Sequence, residues 1–217
     1  MLVKKPSSRD TLLSAALDAF GRHGFDSAST RDIAKSAGMP MSQITYHFGG
    51  KDGLYLACAQ MIADHMGALM GETLAAIEAE LAASPDRQTA RTCISQLLSG
   101  LAVAMLDPAT LPYSRFICRE QAEPTRAFDI LYSGMMGRIL AAMEQMVARI
   151  AGQTGEPTRL MPMALLGQLL AFRVAQASVL AFTGWGAIGP EQVAAIRATL
   201  LFNVEAICDR LEKGPCP

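Results

Sequence analysis

The stretch from Ser29 to Lys51, S-T-R-D-I-A-K-S-A-G-M-P-M-S-Q-I-T-Y-H-F-G-G-K, constrains the fold more than any other part of the chain. Its spacing predicts two short helices joined by a tight turn. Ser29 with Asp32 three residues on is the pattern of a capped helix start, where side-chain oxygens take up backbone N–H groups that lack partners. Thr30, Ile33, Ala34 and Ala37 then recur at helical spacing. Gly38 permits the left-handed backbone of a sharp turn, and Pro40 suits the first turn of the helix that follows. In that second helix Ile44 and Phe48 stand four apart on a face that can bury. Ser42, Gln43, Thr45 and Tyr46 fall on the opposite face.

An apolar back with a hydrogen-bonding front is what a helix needs in order to meet base edges in a DNA groove. The charge distribution agrees. Residues 1–51 carry seven basic side chains (Lys4, Lys5, Arg9, Arg22, Arg31, Lys35, Lys51) against four acidic ones (Asp10, Asp18, Asp26, Asp32), a net +3. The whole chain of 217 residues has a net charge of −1, so the remainder carries −4. A basic front end on an acidic body suits a nucleic-acid contact confined to one end.

Hydrophobic residues make up 51% of the chain, ample for a core, and aromatics only 6%. Ala, Leu and Met dominate while β-branched runs are scarce, which predicts an all-α fold. Ahead of the central stretch, Ser7 and Asp10 form another capped start. Leu13, Ala16, Leu17 and Phe20 follow as an amphipathic stripe that Gly24 ends. The expected architecture is a three-helix helix-turn-helix head over residues 1–51 and a larger C-terminal helical domain over 52–217. A long helix is expected from Asp52 to about Ala83, ended by Ser84-Pro85-Asp86. Further helices are expected over Gln88–Leu106, Pro112–Gln121, Thr125–Ala151, Leu160–Phe182 and Pro190–Leu211. Leu160–Phe182 is long enough to span a bilayer. Arg173 near its middle would be costly there, so burial at a subunit interface is the expected reading.

The order A-G-x-x-x-S-x-I-x-Y-H-F-x-x-K-x-x-L at Ala37–Leu54 resembles the DNA-binding head of TetR-type transcriptional regulators. Pro124–Tyr132 and Gly167–Leu180, followed by Gly184-Trp185, resemble the C-terminal domain of the CecR-like subgroup of that family. The resemblance implies a homodimer joined by the last two helices, about 160–185 and 190–212. It also implies a small-molecule effector pocket in each body and a palindromic double-stranded DNA operator, most often under repression. On the DNA side, Ser42, Gln43, Thr45 and Tyr46 are assigned to the groove-facing surface, with Gln43 suited to an adenine edge and Thr45 to a thymine methyl. Thr30, Tyr46, His47 and Lys51 match family positions that grip phosphate, and Arg31 joins them by charge and by its place at a helix start. Met41 stands in this DNA-facing set where relatives commonly carry a basic residue, and Thr45 where Tyr is common. The helix therefore brings no Lys or Arg to guanine, and the salt dependence of binding should be shallow per half-site. Lys4 and Lys5 offer compensation as a minor-groove arm.

The chain has 13 methionines, whose flexible thioethers fill cores and line adaptable pockets. Tyr113, Phe116, Arg119, Met135, Met136, Phe172, Arg173 and Gln176 mix aromatic, apolar and polar groups in the segments expected around the effector, itself expected to be largely apolar. Arg173 fits either an anionic or carbonyl group of the effector or a buried partner such as Glu120. Five cysteines without C-x-x-C or zinc spacing read as reduced thiols of a cytoplasmic protein. No metal or other cofactor is expected. Three histidines, two of them in the head, and no nucleophile with an evident base partner argue against an enzyme. A helical protein-interaction adaptor without a DNA role is the other reading.

Overall fold

The computed structural model describes residues 7–214, so the Lys4–Lys5 arm and Cys216 lie outside the described residues. Among these residues there are helices and turns and no strand: α1 Ser8–Ser27, α2 Thr30–Ser36, α3 Ser42–Phe48, α4 Lys51–Ala83, α5 Arg87–Leu106, α6 Leu111–Ala122, α7 Arg126–Leu131, α8 Gly137–Ala151, α9 Glu156–Val174, α10 Gln176–Thr183 and α11 Pro190–Lys213. The all-α expectation is met. The chain forms two compact units, one of residues 1–67 with 111–134, the other of 68–110 with 135–217.

The first unit holds α1, α2, α3, the start of α4, α6 and α7. Ser7 and Asp10 close a reciprocal cap on α1, and Ser29 Oγ accepts from the Asp32 N–H at the start of α2. Gly24 interrupts α1 at φ 78°, where the sequence placed its end, and one further turn follows. The core is the α1 stripe Leu12, Leu13, Ala16, Leu17 and Phe20, closed by Ile33, Ile44, Leu54, Cys58 and Phe116. Tyr55 stands in the middle of an aromatic cluster, its ring 4.9 Å from Phe20, 5.1 Å from Phe25 and 4.6 Å from Phe116. Its hydroxyl donates to the buried Glu120 carboxylate at 2.6 Å. Burial, and then the bond to Glu120, push the Tyr55 pKa well above the usual phenol range. Glu120 also accepts from the Thr125 N–H at 3.0 Å and from its hydroxyl, so one buried carboxylate ties α4 to the cap of α7.

Sequence placed a single boundary at residues 51 and 52. The compact units divide the chain differently: α7 packs on α6, and α6 packs along α1 and puts Phe116 on Tyr55. Gly21 makes that packing possible: a Cβ there would lie 3.2 Å from Arg115 Cβ and 3.3 Å from the Pro112 carbonyl oxygen.

In the second unit, Met70, Leu74, Ile77 and Leu81 of α4 are buried, and α5, α8 and α11 pack on one another. Asp86 caps α5 by accepting from the Thr89 N–H at 2.7 Å. Bonds from the Ser84 hydroxyl first, and then from Thr89, hold its carboxyl down at about 2. Arg149 covers the end of α4, donating to the Leu81 and Ser84 carbonyls. Arg91 of α5 reaches three α11 carboxylates, Glu205, Asp209 and Glu212.

Two helices depart from expectation. The helix expected over Thr125–Ala151 passes through a π-helical turn at Tyr132–Met136, between α7 and α8. Ser133 Oγ donates to the Asp129 carbonyl at 2.6 Å, supplying a partner within this irregular turn. The helix expected over Leu160–Phe182 starts earlier, at Glu156, and bends by 74° between Val174 and Gln176 to become α9 and α10. By length and composition α5 alone among the described residues is a membrane-span candidate, or the bent α9–α10 pair if taken as one, but α5 buries eight of its side chains in the core.

Burial accounts for the thiols. It raises Cys58 to about 12 and is the largest contribution holding Cys93 and Cys208 at about 11. Cys118 of α6 is exposed. In a Cys216→Ser protein at pH 8, an aromatic disulfide reagent should therefore modify Cys118 promptly and the three buried thiols only on unfolding. Prompt reaction of a second thiol would contradict this packing.

Candidate nucleic-acid interface

Of the nine DNA-side residues, Thr30 and Arg31 lie on α2, Met41 in the turn before α3, Ser42, Gln43, Thr45, Tyr46 and His47 on α3, and Lys51 at the start of α4. Gly38 adopts φ 67°, and the Met39 N–H reaches back to the Ala34 carbonyl, closing the turn after α2. Pro40 lies just before α3 rather than within it. Its carbonyl accepts from the Gln43 N–H, and the Met41 carbonyl from the Ile44 N–H. Ile44 is buried and holds α3 to the core. Met41, Ser42, Thr45 and Tyr46 all face solvent, Tyr46 at 80% exposure. Gln43 is half-buried on the flank of this face.

Two glycines fix where α3 ends. Gly49 takes the left-handed conformation at φ 74° as the helix cap. Gly53, in the first turn of α4, lies so close to the Phe48 carbonyl that a Cβ there would come within 1.8 Å of its oxygen. The α3–α4 corner is therefore closed to any side chain at position 53.

Cations are few around this face, and some are already engaged. Arg31 and Lys35 of α2 are exposed. Arg22 pairs with Asp18 on α1 at 2.8 Å. Lys51 donates to the Asp26 carbonyl at 3.0 Å and lies over the Phe25 ring, a structural engagement that sequence did not foresee. His47 is half-buried, its ring 4.9 Å from Tyr46. Sequence analysis also passed over Arg9, whose guanidinium lies 5.5 Å from the Phe48 ring centroid, beside the end of α3. Its membership of the basic front end was the available signal.

The eight effector-side residues do not fall in one unit. Tyr113, Phe116 and Arg119 belong to the first, and Met135, Met136, Phe172, Arg173 and Gln176 to the second. Phe116 is fully buried against Tyr55. Arg119 donates to the Gly21 and Arg22 carbonyls at 2.9 and 2.7 Å, capping the main body of α1. Tyr113 lies edge-on to His65 at 4.9 Å. An amphipathic helix bearing aromatics and an arginine looks the same in sequence whether it lines a pocket or packs on a neighbour. In the second unit Met135 is buried, and Met136, Phe172 and Gln176 are half-buried. Arg173 is buried and donates to Thr110 Oγ1 at 3.3 Å and to the Asp107 carbonyl at 3.4 Å. Thr110 was not singled out from sequence.

A short helix anchored by one apolar face, presented after a tight turn on a small helical unit, defines a helix-turn-helix DNA-binding protein. Residues 12–58 match the bacterial regulatory proteins of the tetR family, and residues 90–209 match the C-terminal domain of the HTH-type transcriptional dual regulator CecR. The CecR protein of Shigella flexneri is 33% identical over 98% of this chain and 96% of its own. The chain therefore belongs to the TetR family of transcriptional regulators, in its CecR-like subgroup. The regulatory protein RaaS of Mycobacterium tuberculosis is 42% identical over 52 residues, 24% of each chain. A transcriptional regulator from Rhodococcus sp. Rha1 shares the fold at a TM-score of 0.61 and 18% identity, covering 92% of this chain and 97% of its own. Regulators of this family bind operator DNA and small-molecule effectors and typically dimerise.

Proposed function

We propose that the protein is a cytoplasmic, homodimeric repressor that holds a near-palindromic operator through two copies of α3 and leaves it when a largely apolar effector occupies the second unit. The observation that carries this reading is the outward face of α3, solvent-exposed at Met41, Ser42, Thr45 and Tyr46 while Ile44 anchors its back. Thr30, Arg31, His47 and Lys51 would grip phosphate, with Lys51 also bracing α1, and Gln43 would reach a base from the flank. Arg9 joins them as a further phosphate contact.

The dimer reading rests on apolar surface. On α9, Leu160, Met163, Leu170 and Val174 are all exposed, three, seven and four residues apart, and with the exposed Gly167 between them they follow the alternating three- and four-residue spacing of a helix-pairing seam. No residue of α10 is buried, and Phe182 at its end is 94% exposed. Phe202 stands exposed on α11 among Ala195, Ala198 and Ala206. A patch of this kind on a soluble chain marks a partner surface, and a second copy meets it with the same residues.

For the effector, Phe172 and Gln176 offer apolar and amide groups near the buried Arg173 along the chain, and the half-buried Met136 of the same unit adds a thioether. Such a molecule shifts the heads only by binding one arrangement better than the other.

Selection from a random pool of double-stranded DNA, followed by mobility shift on the enriched duplex, tests the central reading. With Arg9, Arg31 and Lys51 as the charged phosphate contacts, each half-site should neutralise about three phosphates. The slope of log K against log salt should then be about −2.7 per half-site, at roughly −0.9 per phosphate. Deleting residues 1–6 should flatten that slope if Lys4 and Lys5 add a minor-groove arm. Unchanged binding after the deletion removes the arm from the scheme, and no enriched sequence at all would overturn the regulator reading.

A further inference from the structure

We infer that Met41 determines operator specificity by packing its thioether side chain against a thymine C5-methyl group in each half-site. The inference rests on the DNA-binding reading of α3 and goes beyond it by naming the base and the side chain.

Met41 lies in the turn leading into α3 and is 56% exposed. The buried side chain of α3 is Ile44, and the Met41 side chain makes no capping bond to the helix. From residue 7 to residue 67 the large apolar side chains that stand exposed are Met41 and Tyr46, both on this one face. Thr45, four residues on from Met41, is exposed beside it. The pair thus presents a methyl-rich edge at one end of the face, with the Ser42 and Tyr46 hydroxyls at the other.

That surface selects among bases by what it lacks as well as by what it offers. Guanine is read by the paired donors of Arg or Lys, and residues 36–50 contain neither. Cytosine is read by a carboxylate, and this stretch has none. The group in the major groove that rewards an apolar contact is the thymine methyl. An unbranched thioether has the reach and adaptability to follow it.

The test uses the full-length protein and the duplex enriched from a random DNA pool, resynthesised with deoxyuridine in place of one thymidine at a time. Deoxyuridine keeps the pairing edge and removes only the methyl. At one symmetric pair of positions the exchange should weaken binding about fourfold per half-site, equivalent to about 0.8 kcal/mol for one buried methyl-sized group. In Met41→Ala the thymidine and deoxyuridine duplexes should bind equally, with the penalty at other positions unaltered. Met41→Lys, reselected on the same pool, should replace that thymine by guanine. A uracil penalty that survives in Met41→Ala, or a flat profile at every position, overturns the inference while leaving DNA binding intact. A pool that yields no enriched duplex overturns the DNA-binding reading and this inference with it. Unchanged helical circular dichroism confirms that each variant is folded.

Discussion

Phe116→Ala should lower the stability of the first unit by about 3–5 kcal/mol, the range for emptying a buried phenyl site. Phe116 has no exposed surface, and its ring lies 4.6 Å from that of Tyr55. The cavity would open beside the Tyr55 ring, whose hydroxyl is tied to the Glu120 carboxylate at 2.6 Å. Urea denaturation followed by helical and near-ultraviolet circular dichroism measures the loss. Because α6 shares a core with α1 and α4, operator binding should fall along with the melting temperature. A loss under about 1 kcal/mol would mean that α6 does not close this core. An effector-contact role for Phe116 predicts the opposite pattern, with stability unaltered and only the response to effector changed.

A second large effect is expected at the apolar seam. The double substitution Val174→Asp with Phe202→Asp puts like charges into a surface that the dimer would remove from water. Val174 is 65% and Phe202 76% exposed in the single chain, so the fold of one subunit should not suffer. Between subunits, juxtaposed like charges cost several kcal/mol, and a cost of about 3 kcal/mol weakens association by roughly 150-fold. Sedimentation should show monomers at micromolar concentration, and operator affinity should collapse because one head alone meets one half-site. A variant that still sediments as a dimer and binds the operator normally would place the subunit contact on another face.

Much of this was legible in the sequence because it depends on neighbours along the chain. Ser7 with Asp10 and Ser29 near Asp32 cap helices three residues away, Gly38 turns the backbone, and Ile44 shows α3 which way to face. The break at Ser84–Asp86 and the start at Pro190 are likewise local. For the same reason Ser42, Thr45 and Tyr46 could be placed on the outward face of α3, since helical periodicity separates front from back, while Gln43 proves half-buried on its flank.

What the sequence left open depends on residues far apart along the chain. Helical patterning shows that α6 has a face to bury, but not whether that face meets an effector or the end of α1. The answer lies in the Arg119 bonds to the Gly21 and Arg22 carbonyls, almost a hundred positions away, and in Gly21, which lets the two helices approach. Lys51 was marked for phosphate by family position, and only folding shows its bond to the Asp26 carbonyl. The bend at Ala175 has no proline or glycine to announce it. Short-range hydrogen bonding and side-chain period are written in sequence order. Which buried face meets which is settled only when the whole chain competes for the same core, and that competition placed α6 with the DNA-binding helices.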